Sequence, residues 1–212
     1  MGIDDRAPGR PRSREADTAI LDATLELLIE RGAEATSIEQ VARRAGVTRA
    51  TVYRRFPDKT QLLIATIEAA YGEPPPTPEI RDVEHLLAGW ASVLSNPRQR
   101  RLLRRLYGAI EDYPELAHAY QRLFGQQRDQ ARRNVFEQAR DRGHLPADTR
   151  VDVLLDLLTG ASWQHLAVHP DTCTAEDAEQ FLRAVLHQAG YRRDDHQHQP
   201  ADQRPAGPRD KE

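Results

Sequence analysis

The sequence has little cysteine and no long apolar run. Cys173 is the single cysteine among 212 residues, so this chain can form neither an internal disulfide nor a metal site built from several thiolates. No apolar run approaches the ~18 residues that a membrane-spanning helix needs. The polar N-terminal stretch also lacks the apolar core of a signal peptide. We therefore expect no membrane segment and a cytoplasmic protein.

The sequence also lacks a strong excess of charge of either sign. A net charge of −3 argues against a protein that coats nucleic acid non-specifically. The charges are unevenly distributed, because residues 1–60 hold eleven Lys and Arg against ten Asp and Glu, whereas residues 61–190 hold fourteen against eighteen. Any contact with nucleic acid is therefore expected to be local and N-terminal.

No arrangement typical of an enzyme is present. There is no nucleophile–base–orienter spacing, no glycine-rich phosphate loop and no HExxH sequence. His165 and His169 have the i, i+4 spacing of two metal ligands, and His196 and His198 form a second pair, but nothing completes either site. Cys173 precedes the last helix in a loop, where an inert thiol and a redox sensor are both open. We predict that the chain is not an enzyme and needs neither a metal nor another cofactor.

What the sequence does contain is a pattern of two short helices separated by a three-residue gap, within residues 36–60. Ser37 can cap the first helix, and Gln40 follows at the spacing of a capping box. Gly46 is expected to end this helix in a left-handed conformation. Thr48 can cap the second helix. This arrangement is typical of a helix-turn-helix.

The exposed side of the second helix is unusual for a protein surface. It carries the hydroxyl, methyl, aromatic and guanidinium groups that contact base edges and phosphates in a major groove. A lysine at the start of the next helix can reach a phosphate beside free backbone N–H groups. We predict a DNA-reading face consisting of Thr48, Arg49, Ala50, Tyr53 and Arg54, with Ser37 and Lys59 as phosphate anchors.

The run VARRAGVTRATVYRRFPDKTQLL resembles the DNA-binding signature of the TetR (tetracycline-repressor-like) family of transcriptional regulators. The likeness extends back through TAILDATLELLIERGAEATS and forward to about Tyr71, roughly a quarter of the chain. One departure is Ala33, where many family members have an aromatic residue. The resemblance implies a dimeric repressor that binds a partly palindromic double-stranded operator and responds to a small-molecule effector.

The remaining sequence predicts an all-α fold. A proline-rich segment at 73–78 marks a boundary, and Thr77 is expected to cap the next helix with Pro78 at its first position. Five helices are expected at about 79–95, 98–111, 114–142, 148–168 and 175–189. The chain should therefore contain a three-helix helix-turn-helix domain, a helical ligand-binding and dimerisation domain, an N-terminal arm and a C-terminal tail, at residues 15–71, 77–190, 1–14 and 191–212.

The helix expected at 148–168 carries leucine on more than one face, so it must be buried on several sides. A subunit interface explains this pattern. In the resembled family the last two long helices of each protomer form a four-helix dimer interface, which implies a homodimer here.

The resemblance also implies where an effector would bind. Helices of the second domain surround the ligand pocket in that family, and the corresponding helices here hold five aromatic residues, although aromatic residues at helical spacing also serve as core. They are Trp90, Tyr107, Tyr120, Phe124 and Trp163. Five arginines between Arg98 and Arg105 form either a solvated face or a contact for an anionic effector.

Two other functions stay open. One is a helical ligand-binding or partner-docking protein whose N-terminal unit is structural, and the other is a DNA-binding regulator without a small-molecule effector. The arm adds a further question, because Gly9-Arg10-Pro11-Arg12 resembles the core of an AT-hook that lies in the minor groove. A charged leader without that role is the alternative.

Overall fold

A computed structural model describes residues 14–71, 80–122 and 126–192, and within these ranges the chain forms ten α-helices and no strand. The all-α prediction is confirmed. The predicted arm and most of the predicted tail, together with Thr77, Pro78 and Phe124, lie outside the described residues. The helices are α1 (Arg14–Arg31), α2 (Ile38–Ala45), α3 (Arg49–Tyr53), α4 (Lys59–Tyr71), α5 (Val83–Ser95), α6 (Pro97–Tyr107), α7 (Pro114–Tyr120), α8 (Gln126–Asp141), α9 (Val151–Val168) and α10 (Ala175–Gln188).

The first four helices enclose a small core. Ile20 and Leu27 of α1 meet Val41 of α2, Val52 of α3 and Leu62 of α4, and each of these side chains is almost completely buried. Full burial of an aliphatic side chain of this size contributes roughly 1.5–3 kcal/mol. Because α3 has only five residues, its position depends on Val52 in this core.

A second core joins these helices to the rest of the protein. Leu28 and Leu63, on other faces of α1 and α4, pack with Leu102 and Leu106 of α6 and with Leu116 of α7. Helix α6 therefore lies directly against the N-terminal unit. A larger third core is formed by α5, α8, α9 and α10.

Two of the five arginines of α6, Arg100 and Arg104, differ from both expectations, whereas Arg98, Arg101 and Arg105 are exposed. Arg100 is completely buried; its Nη2 donates to the carbonyl oxygens of Leu166 (3.3 Å) and His169 (2.8 Å), and its Nε lies 3.1 Å from the Asp171 carboxylate. Arg104 donates to the same carboxylate at 2.7 Å. Burial acts to raise the pKa of Asp171, but the hydrogen bonds from Arg104 and Arg100 hold it below its usual value. These two arginines bind the C-terminal end of α9 rather than solvent or a ligand.

Two helix boundaries also differ from the prediction. Helix α5 begins at Val83 rather than near residue 79, because the Asp82 carboxylate accepts the N–H of His85 at 2.8 Å and so caps the helix there. The helix expected at 114–142 is two helices, α7 and α8, and α7 passes into a π-helical turn at residues 121–122.

Helix α6 ends at Tyr107, earlier than expected, and Tyr107 and Ile110 do not point into a core. They are 39% and 44% exposed, because Leu102, Leu106 and Ala109 already fill the contact with α1 and α4. Within the described ranges, no helix combines the length and the apolar character that crossing a membrane requires.

Candidate nucleic-acid interface

Hydrogen bonds within the local sequence set the ends of α2 and α3. Ser37 Oγ accepts the N–H of Gln40 at 3.3 Å, and Gln40 Oε1 accepts the N–H of Ser37 at 3.2 Å, which completes the capping box. Gly46 ends α2 with a φ of 67°, in the left-handed region that favours glycine. Thr48 then caps α3 by accepting the N–H of Thr51 at 3.1 Å. The caps predicted for α2 and α3 are confirmed.

Two ion pairs hold this unit against α1. Arg44 donates two hydrogen bonds to the Glu30 carboxylate, at 3.0 and 2.9 Å, and these bonds lower the pKa of Glu30. Arg55 pairs with Asp17 and also donates to the carbonyl of Thr51 at 3.2 Å. These two arginines therefore orient α2 and α3 instead of facing a ligand.

Helix α3 presents a polar surface to solvent. Val52 is fully buried beneath it, while Tyr53 remains 47% exposed. All of the predicted reading residues lie on the exposed part of α3 and its two ends: Thr48, Arg49, Ala50, Tyr53 and Arg54.

The charges on this surface are only loosely paired. Arg49 Nη1 lies 2.7 Å from Glu39 Oε1, and both side chains are 57% exposed. Such an exposed pair is worth only about 0–1 kcal/mol, so a competing anion can displace Glu39 easily. Arg43 and Arg54 are exposed and have no ion-pair partner among the described residues.

Arg43 is a candidate contact that the sequence analysis missed. It lies four residues after Glu39 and therefore on the side of α2 that also meets Arg49. The sequence indicated this contact through the four-residue spacing from Glu39 and through the outward position of Arg43 in the amphipathic pattern of α2.

The two predicted phosphate anchors are both engaged within the protein. Lys59 Nζ donates to the carbonyl of Glu34 at 3.0 Å and lies 5.0 Å from the centre of the Tyr113 ring. Tyr113 in turn donates its hydroxyl to the Glu34 carboxylate at 3.0 Å. The Ser37 oxygen accepts the Gln40 amide, which leaves its hydroxyl proton available to a phosphate.

Four of the five aromatic residues expected around an effector lie in the described part of the chain, where they occupy different surroundings. Trp90 is buried in the third core, with 8% exposure. Tyr107 and Trp163 stack on each other with ring centroids 4.2 Å apart. Tyr120 is half-buried at the end of α7, beside the second core, and Phe124 lies outside the described residues.

Arg132 was not predicted as part of a site. Its guanidinium carbon lies 4.2 Å from the centroid of the Trp90 ring. Burial lowers the pKa of Arg132, and the nearby Asp129 carboxylate opposes that shift. The sequence indicated the burial of Arg132 through its spacing. Arg132 lies three residues before Val135 and four before Phe136, which places it on the apolar face of α8.

Cys173 and His165, treated separately in the sequence analysis, are in contact. His165 Nε2 lies 3.3 Å from Cys173 Sγ, and the His165 ring stacks on that of His169 with centroids 4.3 Å apart. Burial lowers the pKa of His165 and raises that of the Cys173 thiol. No group of three or more His, Cys, Asp or Glu within residues 14–71, 80–122 and 126–192 is arranged to hold a metal ion.

Two family models match this chain, and together they span both the reading unit and the helices that follow it. The model described as bacterial regulatory proteins, tetR family, matches residues 20–66. The model described as tetracyclin repressor-like, C-terminal domain, matches residues 74–185.

Individual relatives and solved structures are also similar to this chain. The uncharacterised HTH-type transcriptional regulator YdeS of Bacillus subtilis is 27% identical over 167 residues, which cover 77% of this chain and 84% of that protein. An uncharacterised HTH-type transcriptional regulator of Mycobacterium bovis is 31% identical over 159 residues, covering 74% and 76%. The crystal structure of MexZ, a repressor of Pseudomonas aeruginosa, is similar with a TM-score of 0.60 and 25% identity, over 84% of this chain and 96% of that chain.

Proposed function

This chain belongs to the TetR family of bacterial transcriptional regulators, and from this premise we propose that it is a repressor that binds its operator as a dimer and leaves it when a small molecule binds. The similarity to MexZ, which is named as a repressor, supports the direction of control. The proposal assigns the chain no catalytic activity.

The observation that carries this proposal is the exposed polar surface of α3. In the proposed complex α3 lies in the major groove, where the Arg49 fork can bind the O6 and N7 atoms of a guanine and the Ala50 methyl can contact a thymine methyl. Arg43 and Arg54 contact phosphates on either side. Lys59 exchanges the Glu34 carbonyl for a phosphate.

The proposed domain division follows the sequence boundaries, with a reader at 15–71 and a regulatory and dimerisation domain at 77–190. Two readers of a symmetric dimer would occupy successive major grooves, about 34–36 Å apart. The proposed dimer contact involves α9 and α10, and α9 leaves Val153, Leu157 and Val168 exposed.

Helix α6 is the proposed link between effector and reader. Arg98 lies 2.6 Å from the Glu26 carboxylate of α1, and Arg105 donates to the Glu30 carbonyl at 3.0 Å, near the end of the same helix. A movement of α6 on effector binding would therefore shift α1 and the unit that α1 orients. Such coupling typically amounts to about 1–3 kcal/mol.

The first test is Arg49→Ala. The operator is first obtained by selecting bound sequences from random duplexes with the wild-type protein, and affinity is then measured by fluorescence anisotropy. We expect the variant to lose specific binding, because each lost guanine contact removes about 1–3 kcal/mol and a dimer loses two. The circular dichroism melting curve should be unchanged, since the side chain is exposed and its pair with Glu39 is weak.

Arg101→Ala is the matched control, because Arg101 is an exposed arginine on α6, outside the reading surface. It should bind the operator like the wild type. Normal operator affinity of Arg49→Ala would reject its assigned role. Selection of no palindromic motif would instead reject the operator-binding dimer and favour a structural or partner-docking role for the N-terminal unit.

A further inference from the structure

Lys59, the proposed phosphate contact at the start of α4, is held by two residues from other parts of the chain. Its Nζ donates at 3.0 Å to the carbonyl oxygen of Glu34, in the loop between α1 and α2. The same ammonium lies 5.0 Å from the centroid of the ring of Tyr113, the residue directly before α7. An aromatic face attracts a cation at this distance. The ammonium therefore has a defined position in the DNA-free protein.

Tyr113 is itself anchored at three points. Its hydroxyl donates to the Glu34 carboxylate at 3.0 Å, and its backbone N–H donates to the Ala109 carbonyl at 2.7 Å. The half-buried side chain also packs against the second core, which joins α1 and α4 to α6 and α7. The position of the ring therefore depends on the helices of the proposed regulatory domain as well as on the N-terminal unit.

This arrangement restrains Lys59 without neutralising it. Its partners in the described part of the chain are a carbonyl oxygen and an aromatic ring, and neither of these groups carries a charge. A lysine has a flexible four-carbon stem, and ordering such a side chain when DNA binds lowers the affinity. A lysine that already lies over a ring avoids much of that loss and keeps its charge for a phosphate.

We propose that Tyr113 is a positioning residue for operator binding, because its ring holds the Lys59 ammonium where a backbone phosphate replaces the Glu34 carbonyl. The proposed regulatory domain thereby supplies one residue of the DNA-binding arrangement directly, in addition to the contacts of α6 with α1. This inference rests on the proposed operator binding and extends it to a residue outside the reader.

The test is a double-mutant cycle with Tyr113→Leu and Lys59→Gln, measured as affinity for the selected operator by fluorescence anisotropy. Leucine keeps apolar packing but removes the ring face. We expect Tyr113→Leu to weaken binding at least about fivefold, because both lysines of a dimer must then be ordered on binding. In the Lys59→Gln background the same change should have almost no effect. A purely structural Tyr113 would weaken binding equally in both backgrounds, which would overturn the proposal.

Conservative variants separate the ring from the hydroxyl and from general packing. Tyr113→Phe keeps the ring and should bind nearly as tightly as the wild type, whereas a loss as large as that of Tyr113→Leu would overturn the role of the ring. Tyr120→Leu is the matched control, because Tyr120 packs against the same second core, and it should bind like the wild type. Tyr113→Met replaces Tyr113→Leu in the cycle if the leucine variant is unfolded by circular dichroism.

The salt dependence of binding tests the contact that Tyr113 is proposed to position. Lys59→Gln should lower the slope of log affinity against log salt concentration by about 1.8 in a dimer, because each phosphate contact contributes about 0.9. An unchanged slope would overturn the proposal, since Lys59 would then bind no phosphate.

A random-sequence duplex at low salt distinguishes this proposal from the proposed function, because phosphate contacts do not depend on base sequence. The cycle is repeated on that duplex. Coupling between Tyr113 and Lys59 there, without any selected operator, would support the role of Tyr113 and reject the sequence-specific repressor. Failure of the wild type to bind either duplex would reject both.

Discussion

The pKa of the His165 side chain depends on neighbouring groups from several elements. Its ring stacks on His169 and on Phe181 of α10, with centroids 4.3 and 4.5 Å away, and Nε2 contacts Cys173. Its Nδ1 is buried without a hydrogen-bond partner. Burial is the main cause that lowers the pKa of His165; the charges of His169 and of Arg100 on α6 act in the same direction, and Asp177 on α10 opposes them.

This lowered pKa predicts a loss of stability in acid. An unfolded histidine titrates near pH 6.5, so as the pH falls through that value the unfolded chain binds a proton that folded His165 still rejects. The free energy of unfolding, measured in urea, should therefore fall more from pH 7.5 to 5.5 in the wild type than in His165→Gln. Removing the exposed His118 should not reproduce the effect of His165→Gln, and equal losses in wild type and His165→Gln would contradict the assignment.

At the scale of single residues, the sequence predicted the features that depend on short-range spacing along the chain. The capping pair of Ser37 and Gln40 and the left-handed Gly46 follow from residues within one turn of each other. The contact between His165 and Cys173 depends on how the loop after α9 folds back, and no pattern in the sequence reports that. The apolar period of α8 indicated that Arg132 is buried. No pattern in the sequence indicated that the Trp90 ring of α5 lies against it.

Among the elements, α6 connects α1 to the C-terminal end of α9. One side carries Arg98 and Arg105 to α1, while the other carries Arg100 and Arg104 to the end of α9. Cationic side chains at a helix C-terminus satisfy carbonyls that lack an intrahelical partner. The sequence predicted α6 as an amphipathic helix, but arginines are exposed far more often than buried, so the burial of Arg100 was not predictable from residue type.

Arg100→Met tests the structural role of this helix. The change removes the Arg100 donor from the Leu94 and His169 carbonyls and leaves Asp171 and Leu166 with Arg104 alone, so we expect the free energy of unfolding to fall by about 1–3 kcal/mol for each carbonyl left unsatisfied. Arg101→Met changes an exposed arginine of the same helix and should cost no more than about 0.5 kcal/mol. Urea unfolding followed by circular dichroism measures both, and equal losses would show that Arg100 does not organise the end of α9.

At the scale of the whole molecule, the order of the helices was predictable because amphipathic periods and turn residues recur along the chain. The assembly of this chain with a second molecule was less predictable. Helix α9 was expected to be apolar on several faces, and its outward side does expose Val153 (41%), Leu157 (54%) and Val168 (62%). The spacing of these residues places them along one stripe of the helix. What covers that stripe depends on a second molecule, and the proposed partner is another copy of this chain.

Leu157→Glu tests that assembly. In a two-fold symmetric dimer the substitution occurs on both chains, so two carboxylates would lose water within one interface while two leucines lose their burial. We expect sedimentation to show a shift from dimer to monomer at micromolar concentration, and operator affinity to fall with it because one reader makes half of the contacts. Ala88→Glu places the same charge at an exposed position of α5 and should remain dimeric. The melting temperature at low concentration shows whether the Leu157→Glu variant is folded. A folded monomer supports the α9 interface. A folded dimer would place the dimer contact on another surface.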